Sequence, residues 1–298
     1  MAERIGSMAA YGVKKTDRKS NQITSHVTMR NYIRTSKRAA KAMYEHFGRL
    51  DIGDVKPEHI QWYLYQLHDD GKSAATQNLA CAALCKALGL PMSMFFKDER
   101  HYTEITKGRA NEPTTPRNEV EQLASITGIR RAELMELRAK DVVERPEGLC
   151  LHVRRGKGGK EQYQLILPPH EADVREAVAG KSPNDYIINR ADTGGKENIH
   201  AFRRGVARRA YDYYSGRIDR EGETYRKELK DMCISRMSEY HINPNTNRDW
   251  KLIDNPYVTR PNDGSSPQAF DRLALMVASI FYLSHWRAAV TVQNYLIK

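Results

Sequence analysis

Apolar positions recur at helical spacing through the first third of the chain. Ala40, Met43, Tyr44 and Phe47 fall at i, i+3, i+4 and i+7, and Ile60, Tyr63, Leu64 and Leu67 repeat the pattern. So do Cys81, Leu84, Cys85 and Leu88. Pro57 stands where a first helical turn tolerates it, and Asp69-Asp70-Gly71 breaks the chain before the third stripe. The spacing predicts a bundle of about four helices between residues 25 and 95. Residues 108–117 hold two prolines and no apolar period, which reads as a linker. Beyond it, Val120, Leu123, Ala124 and Thr127 predict a helix ending at Gly128 in a left-handed cap, and a second helix follows over 132–137. Residues 149–153 and 162–167 read as two strands joined by a turn rich in Gly and Lys at 156–160. Helices are expected again at about 196–213, 268–283 and 286–296. Between them, 214–267 is charged, then rich in Asn, Asp, Pro and Gly, with no clear core signal past about residue 240.

The fold class expected is mainly α with a small β-sheet, in two domains. Residues 1–22 read as a flexible basic arm, 23–107 as a helical domain, 108–117 as the linker, and 118–298 as a mixed α/β domain with an insertion at about 214–267. The 298 residues allow two domains with real cores. Lys plus Arg is 48 against 37 Asp plus Glu, a formal charge of +11 with pI ≈ 9.4, which favours a polyanionic partner such as nucleic acid. No apolar run is long enough for a membrane span, and residues 1–10 lack the apolar core of a secretion signal. The 4 cysteines make no disulfide scaffold. Cys81 and Cys85 lie one helical turn apart with no second pair at zinc-finger spacing, so two core residues are favoured over a metal site. A reducing, cytoplasmic setting is expected.

Four segments carry chemistry: Thr127-Gly128-Ile129-Arg130, Gly156-Lys157-Gly158-Gly159-Lys160, His200-Ala201-Phe202-Arg203, and Ser284-His285 running through Thr291 to Tyr295. Breaking a phosphodiester without metal or nucleotide needs a nucleophile that conserves the bond energy, and a tyrosine hydroxyl does so as a phosphotyrosine. It needs cations on the non-bridging oxygens, where arginine grips bidentately and keeps its proton. It also needs an acid for the leaving 5′ oxygen, a task for lysine or histidine. Each residue has an ordinary reading by itself: a surface arginine, a turn lysine, an i, i+3 pair on one helix face, a capping histidine, or one of 16 tyrosines. The candidates are Arg130, Lys157, His200, Arg203, His285 and Tyr295.

The ordered set resembles the tyrosine recombinase (phage integrase) family. Residues 127–134 with Leu137 and Asp141 resemble its first box, the Gly- and Lys-rich turn its β-hairpin lysine, and His200-Ala201-Phe202-Arg203 its His-x-x-Arg box. Leu283-Ser284-His285 with Thr291 and Tyr295 resembles its last box. Residues 25–95 resemble its core-binding domain by pattern and position. The resemblance implies that Tyr295 attacks the scissile phosphate to form a 3′-phosphotyrosine and that Arg130 and Arg203 clamp the non-bridging oxygens. It makes Lys157 the acid toward the 5′ oxygen and gives His200 and His285 to the phosphate and to proton transfer. Glu133 holds the first arginine. Lys14 and Lys15 in the arm, Arg154, Arg155 and Lys160 beside the turn, and Arg204 are candidate DNA contacts. No metal, nucleotide or other cofactor is implied. The partner implied is double-stranded DNA with inverted core sites, bound by a homotetramer on two sites that exchanges strands through a Holliday junction, in integration, excision or resolution.

This chain departs from the family pattern in three places. Ser284 stands where the family usually has Gly, which restricts the residue if the backbone there is left-handed. The interval from Arg203 to His285 is unusually long, and 214–267 reads as the insertion, either an aid to assembly or an exposed elaboration. Only Leu296, Ile297 and Lys298 follow Tyr295. Two other enzymes fit the same chemistry, a type IB topoisomerase and a telomere resolvase. From a different class, a non-catalytic DNA-binding protein fits the charge and the patch of Arg203, Arg204, Arg208 and Arg209, although all six catalytic positions hold competent residues.

Overall fold

The computed structural model describes residues 1–298 except 12, 14–16, 18, 20, 100–114, 158, 190–196, 260–265 and 297–298. Contacts divide the chain into two compact units, Met1–Ile105 and Thr106–Lys298. Both are built mainly of helices, with small antiparallel sheets in the second.

The first unit contains α1 (Ala2–Gly6), α2 (His26–Phe47), α3 (Pro57–Asp69) and α4 (Ala74–Leu88). Ser25 and Ser73 cap α2 and α4 by accepting from the Thr28 and Thr76 amides, and Pro57 takes the first position of α3. Ile60, Tyr63, Leu64 and Leu67 all face the core, as their spacing predicts, against Cys81, Leu84 and Cys85. Each such leucine contributes about 1.5–3 kcal/mol by leaving water. The α2 stripe lies one position away from the expected one: Met29, Ser36, Ala39 and Met43 are buried. Tyr44 is 64% exposed, and Phe47 caps the surface in ring contact with His59 and Trp62. Small residues let α2 approach α4 closely, so volume rather than hydrophobicity selects the buried face. The segment expected as a free arm supplies the fourth helix instead. Ile5 of α1 is fully buried with Ile23, Met29 and Ala87, and the Ala10 and Ile23 amides donate to the Ile23 and Met8 carbonyls. Lys14 and Lys15 lie outside the described residues, as do 108–114 of the expected linker.

The second unit opens with α5 (Glu119–Thr127), capped by the Asn118 side chain, and the short α6 (Arg131–Leu134). Three strands follow, where two are expected: β1 (Val142–Arg145), β2 (Gly148–Val153) and β3 (Gln162–Leu165), paired antiparallel in the order β1-β2-β3. Val142 faces Leu151, and Leu151 faces Gln164. The β2–β3 connection carries Lys157. A helix that apolar spacing does not announce, α7 (Glu171–Val178), buries only Val174 and so has no visible stripe.

The largest difference from expectation is α8, which runs Ile199–Glu239, bending at Gly222 (φ 70°, ψ −150°). The helix expected to stop near 213 continues for 26 residues, and these are neither loop nor exposed elaboration. Tyr214, Ile218, Tyr225, Leu229, Cys233 and Met237 lie in the main core with Leu273, Met276, Phe281 and Val292. Buried Arg236 ties α8 to the sheet through the Glu147 carboxylate and, at 2.6 Å, the Tyr163 carbonyl. Beyond Glu239, α9 (Arg248–Lys251) and a two-stranded ribbon of β4 (Tyr257–Val258) and β5 (Ala269–Phe270) lead to α10 (Arg272–Val277). The last two helices expected as regular are broken by π-turns at Ala278–Tyr282 and Val292–Leu296, with α11 (Ala288–Thr291) between them. Among the described residues no helix is long and apolar enough to cross a membrane.

Gly128 ends α5 in the left-handed region at φ 64°, and a Cβ there would stand 2.8 Å from Val206 Cβ of α8. Gly128→Ala therefore meets a backbone penalty and a rigid overlap together. Denaturant unfolding is expected to show a loss of at least about 2 kcal/mol.

Candidate active site

The site forms where α5–α6, the β2–β3 turn, the start of α8 and the last two π-turns meet. Arg130 immediately precedes α6, and its guanidinium donates to Glu133 Oε1 at 2.8 Å and to the Leu283 carbonyl at 3.3 Å. Glu133 is buried, and its carboxylate also accepts from the amides of Arg130 (3.2 Å) and Lys157 (3.1 Å). One carboxylate thus orients the first arginine and anchors the turn that carries the lysine. The Lys157 side chain itself is exposed.

Arg203 lies on the first turns of α8 and is 1% exposed. It donates to the Gly128 carbonyl (2.5 Å), the Leu283 carbonyl (2.6 Å) and the Tyr295 hydroxyl (3.4 Å). Among the described residues no carboxylate bonds it. Burial, first, and then the neighbouring Arg130 charge push its guanidinium below the ordinary arginine value. A charge buried among neutral acceptors is costly, and an anion arriving beside it removes much of that cost.

Tyr295 stands in the final π-turn, 5% exposed, with its ring packed against Ala207 and Leu283. Its hydroxyl is 3.4 Å from Arg203 Nε and 3.5 Å from His285 Nε2. His285 lies on the link between α10 and α11, held by its amide bond to the Ser279 carbonyl at 2.8 Å. Burial, then Arg203, Arg130 and Lys157, lower its pKa to about 4, so the imidazole is neutral at pH 7, with Nε2 the ring nitrogen nearer the tyrosine hydroxyl. The exposed His200 ring sits with its centroid 6.0 Å from that of Tyr295, nearly perpendicular to it.

Arg203 and His285 thus lie within 3.5 Å of the Tyr295 hydroxyl, and His200 packs on its ring. Arg130 joins through the Leu283 carbonyl it shares with Arg203, and Glu133 ties in Arg130 and the Lys157 amide, while the His200 and Lys157 side chains are exposed. Of the candidate DNA contacts, Arg154 grips buried Asp141 through Nε (2.9 Å) and Nη2 (2.6 Å). Arg155 and Lys160 are exposed, and Arg204 is half-buried, its Nε without a hydrogen-bond partner among the described residues. Sequence spacing misses the Leu283 carbonyl, which accepts from both arginines, and the Gly128 carbonyl, because backbone acceptors carry no side-chain signature. Among the described residues no three His, Cys, Asp or Glu side chains gather as a metal-ligand set.

No protein-family model matches the chain, and no curated protein matches it. Among solved structures it is similar to one titled as the crystal structure of XerA recombinase, at 17% identity and a TM-score of 0.24, over 71% of this chain and 84% of that one.

Ser284, beside His285, adopts φ 52°, and its buried Oγ has no hydrogen-bond partner among the described residues. The left-handed backbone costs a Cβ-bearing residue about 1–2 kcal/mol, partly offset by the freedom glycine loses on folding. Ser284→Gly is expected to raise stability by about 0.5–1 kcal/mol in thermal or denaturant unfolding. The His285 shift also has a signed consequence. The folded pKa lies below the unfolded 6.5, so its contribution to stability is complete above 6.5 and is lost as pH falls toward about 4. The acid limb of stability against pH is expected to be shallower in His285→Gln than in the parent protein.

Proposed function

We propose that the protein is a site-specific DNA recombinase that cuts and rejoins strands through a 3′-phosphotyrosine. The observation carrying this reading is Arg203, a guanidinium buried among neutral acceptors and in reach of the Tyr295 hydroxyl, with the neutral His285 on the hydroxyl's other side. A scissile phosphate between Arg130 and Arg203 supplies Arg203 with an anionic acceptor and takes two guanidinium clamps on its non-bridging oxygens. The Tyr295 oxygen bonds to phosphorus as the bond from phosphorus to the 5′ oxygen breaks. His285 Nε2 accepts the phenol proton, and Lys157 swings from its exposed turn to protonate the leaving oxygen. The phosphate's negative charge offsets the two arginines and raises the His285 pKa from its depressed value, which suits a proton acceptor. Rejoining reverses these steps with a 5′ hydroxyl from another duplex as nucleophile.

The assembly follows from the same reading: a tetramer on paired inverted core sites, exchanging strands through a Holliday junction. The exposed Arg155 and Lys160 beside the Lys157 turn, together with Arg204, suit DNA backbone contacts. Arg154 is given a scaffold role as well, since Asp141 holds its guanidinium.

The test begins by selecting bound duplexes from random or genomic DNA, then nicking them beside the cut so that the released fragment diffuses away. Wild type is expected to give an SDS-resistant protein–DNA adduct, in excess EDTA and without nucleotide, and Tyr295→Phe none. Binding should weaken steeply with salt for both. Binding without an adduct on every selected site would make the protein a non-catalytic DNA binder, and an adduct that only relaxes supercoils would make it a topoisomerase.

A further inference from the structure

We propose that Asp249, from the stretch that interrupts the catalytic sequence pattern, is a positioning residue for strand cleavage, acting through the loop that carries His285. The inference rests on the recombinase reading above. Asp249 is 8% exposed and touches none of the reacting groups. Its Oδ2 accepts from the Ala288 amide at 2.8 Å, the first residue of α11, and its Oδ1 accepts from Arg272 Nη1 at 2.9 Å, the first residue of α10. One carboxylate therefore joins the beginnings of both helices that flank the His285 loop. Two positions earlier, Asn247 Nδ2 donates to the Trp286 carbonyl at 2.9 Å. The Trp286 ring packs 5.5 Å from Tyr240, at the end of α8. Arg272 is fixed in turn by the Asn255 and Pro256 carbonyls at 3.0 and 3.2 Å. The loop thus has its inner anchor at Ser279, while its outer face is held by residues 240–256.

The leverage is geometric. His285 lies between the Ser279 anchor and the Asn247 anchor, and Tyr295 is two turns beyond the amide that Asp249 holds. The contacts of the Tyr295 hydroxyl are long, 3.4 Å to Arg203 and 3.5 Å to His285. A small displacement of the loop breaks both, and a misplacement of about 1 Å costs catalysis on the order of 100-fold. Among the described residues, Arg287 supplies no side-chain cap to α11, and the Ala288 amide finds its acceptor in Asp249.

The experiment uses the full chain on the nicked duplex, at saturating DNA and a temperature where each variant is folded by circular dichroism. Wild type, Asp249→Ala, Asp249→Asn and Asn247→Ala are compared for adduct rate, duplex Kd, and hydrogen exchange of peptides covering 284–296. Asp249→Ala is expected to cleave about 30-fold or more slowly with Kd within twofold of wild type, and to lose protection at 284–296. Asp249→Asn, which keeps an acceptor for the Ala288 amide, should recover most of the rate, and Asn247→Ala should fall by about threefold or more. A folded Asp249→Ala that cleaves within threefold of wild type overturns the proposal, as does a rate loss matched by an equal loss of binding. If Asp249→Ala does not fold, Asn247→Ala decides by whether its rate falls at unchanged Kd. A wild type that binds but never forms an adduct sinks the recombinase reading itself, a result distinct from equal rates in wild type and variants.

Discussion

The second unit is organised around a single costly act, the burial of the Arg203 guanidinium with no carboxylate bonded to it among the described residues. Three groups receive its hydrogens, and each belongs to a different part of the fold: Gly128 at the end of α5, Leu283 at the end of the first π-turn, and Tyr295 in the second. The arginine is therefore both a keystone and a vacancy for charge. Structural arginines elsewhere in the chain are neutralised, as Arg236 is by Glu147 and Arg272 by Asp249. Arg203 differs in that, among the described residues, its acceptors are two backbone carbonyls and a hydroxyl.

Glu133 keeps that vacancy from spreading. Its one carboxylate accepts from the Arg130 side chain, the Arg130 amide and the Lys157 amide. The position of the first arginine and the root of the lysine turn are thus set by one group, while the lysine side chain remains in solvent. Two arginines are thereby held in place beside an exposed lysine. His285 is kept neutral beside the tyrosine by burial first and then by the charges of Arg203, Arg130 and Lys157.

Much of this was legible in sequence because the chemistry sits in short local spacings: an arginine after a helix cap, a lysine in a Gly-rich turn, a His-x-x-Arg pair on one helix face. The left-handed end at Gly128 could be read from its glycine, and the question Ser284 raises is answered by φ 52°. What escaped was set by tertiary contact. The α2 face shifted because Ser36 and Ala39 allow close approach, which hydrophobicity does not record. β1 is short, and three of its four residues are only partly buried. The π-turns leave no sequence signal. The long α8 did leave one: Tyr214, Ile218, Tyr225, Leu229, Cys233 and Met237 keep helical spacing. Arg, Glu and Lys fill the positions between them, and that charge density disguised a core helix as a loop.

That disguised helix changes what the long interval between Arg203 and His285 means. An exposed elaboration could be removed with little effect on the core, but this stretch contributes Tyr225, Leu229, Cys233, Met237 and Ile253 to it. Its bend at Gly222 lets one helix begin beside the buried Arg203 and end beside Trp286, where Tyr240 packs. From there the chain returns through Asn247 and Asp249 to the loop bearing His285. The extra residues close a circuit from one half of the site to the other through the protein's own core. The two histidine-bearing segments are therefore joined by a continuous chain of contacts through this stretch.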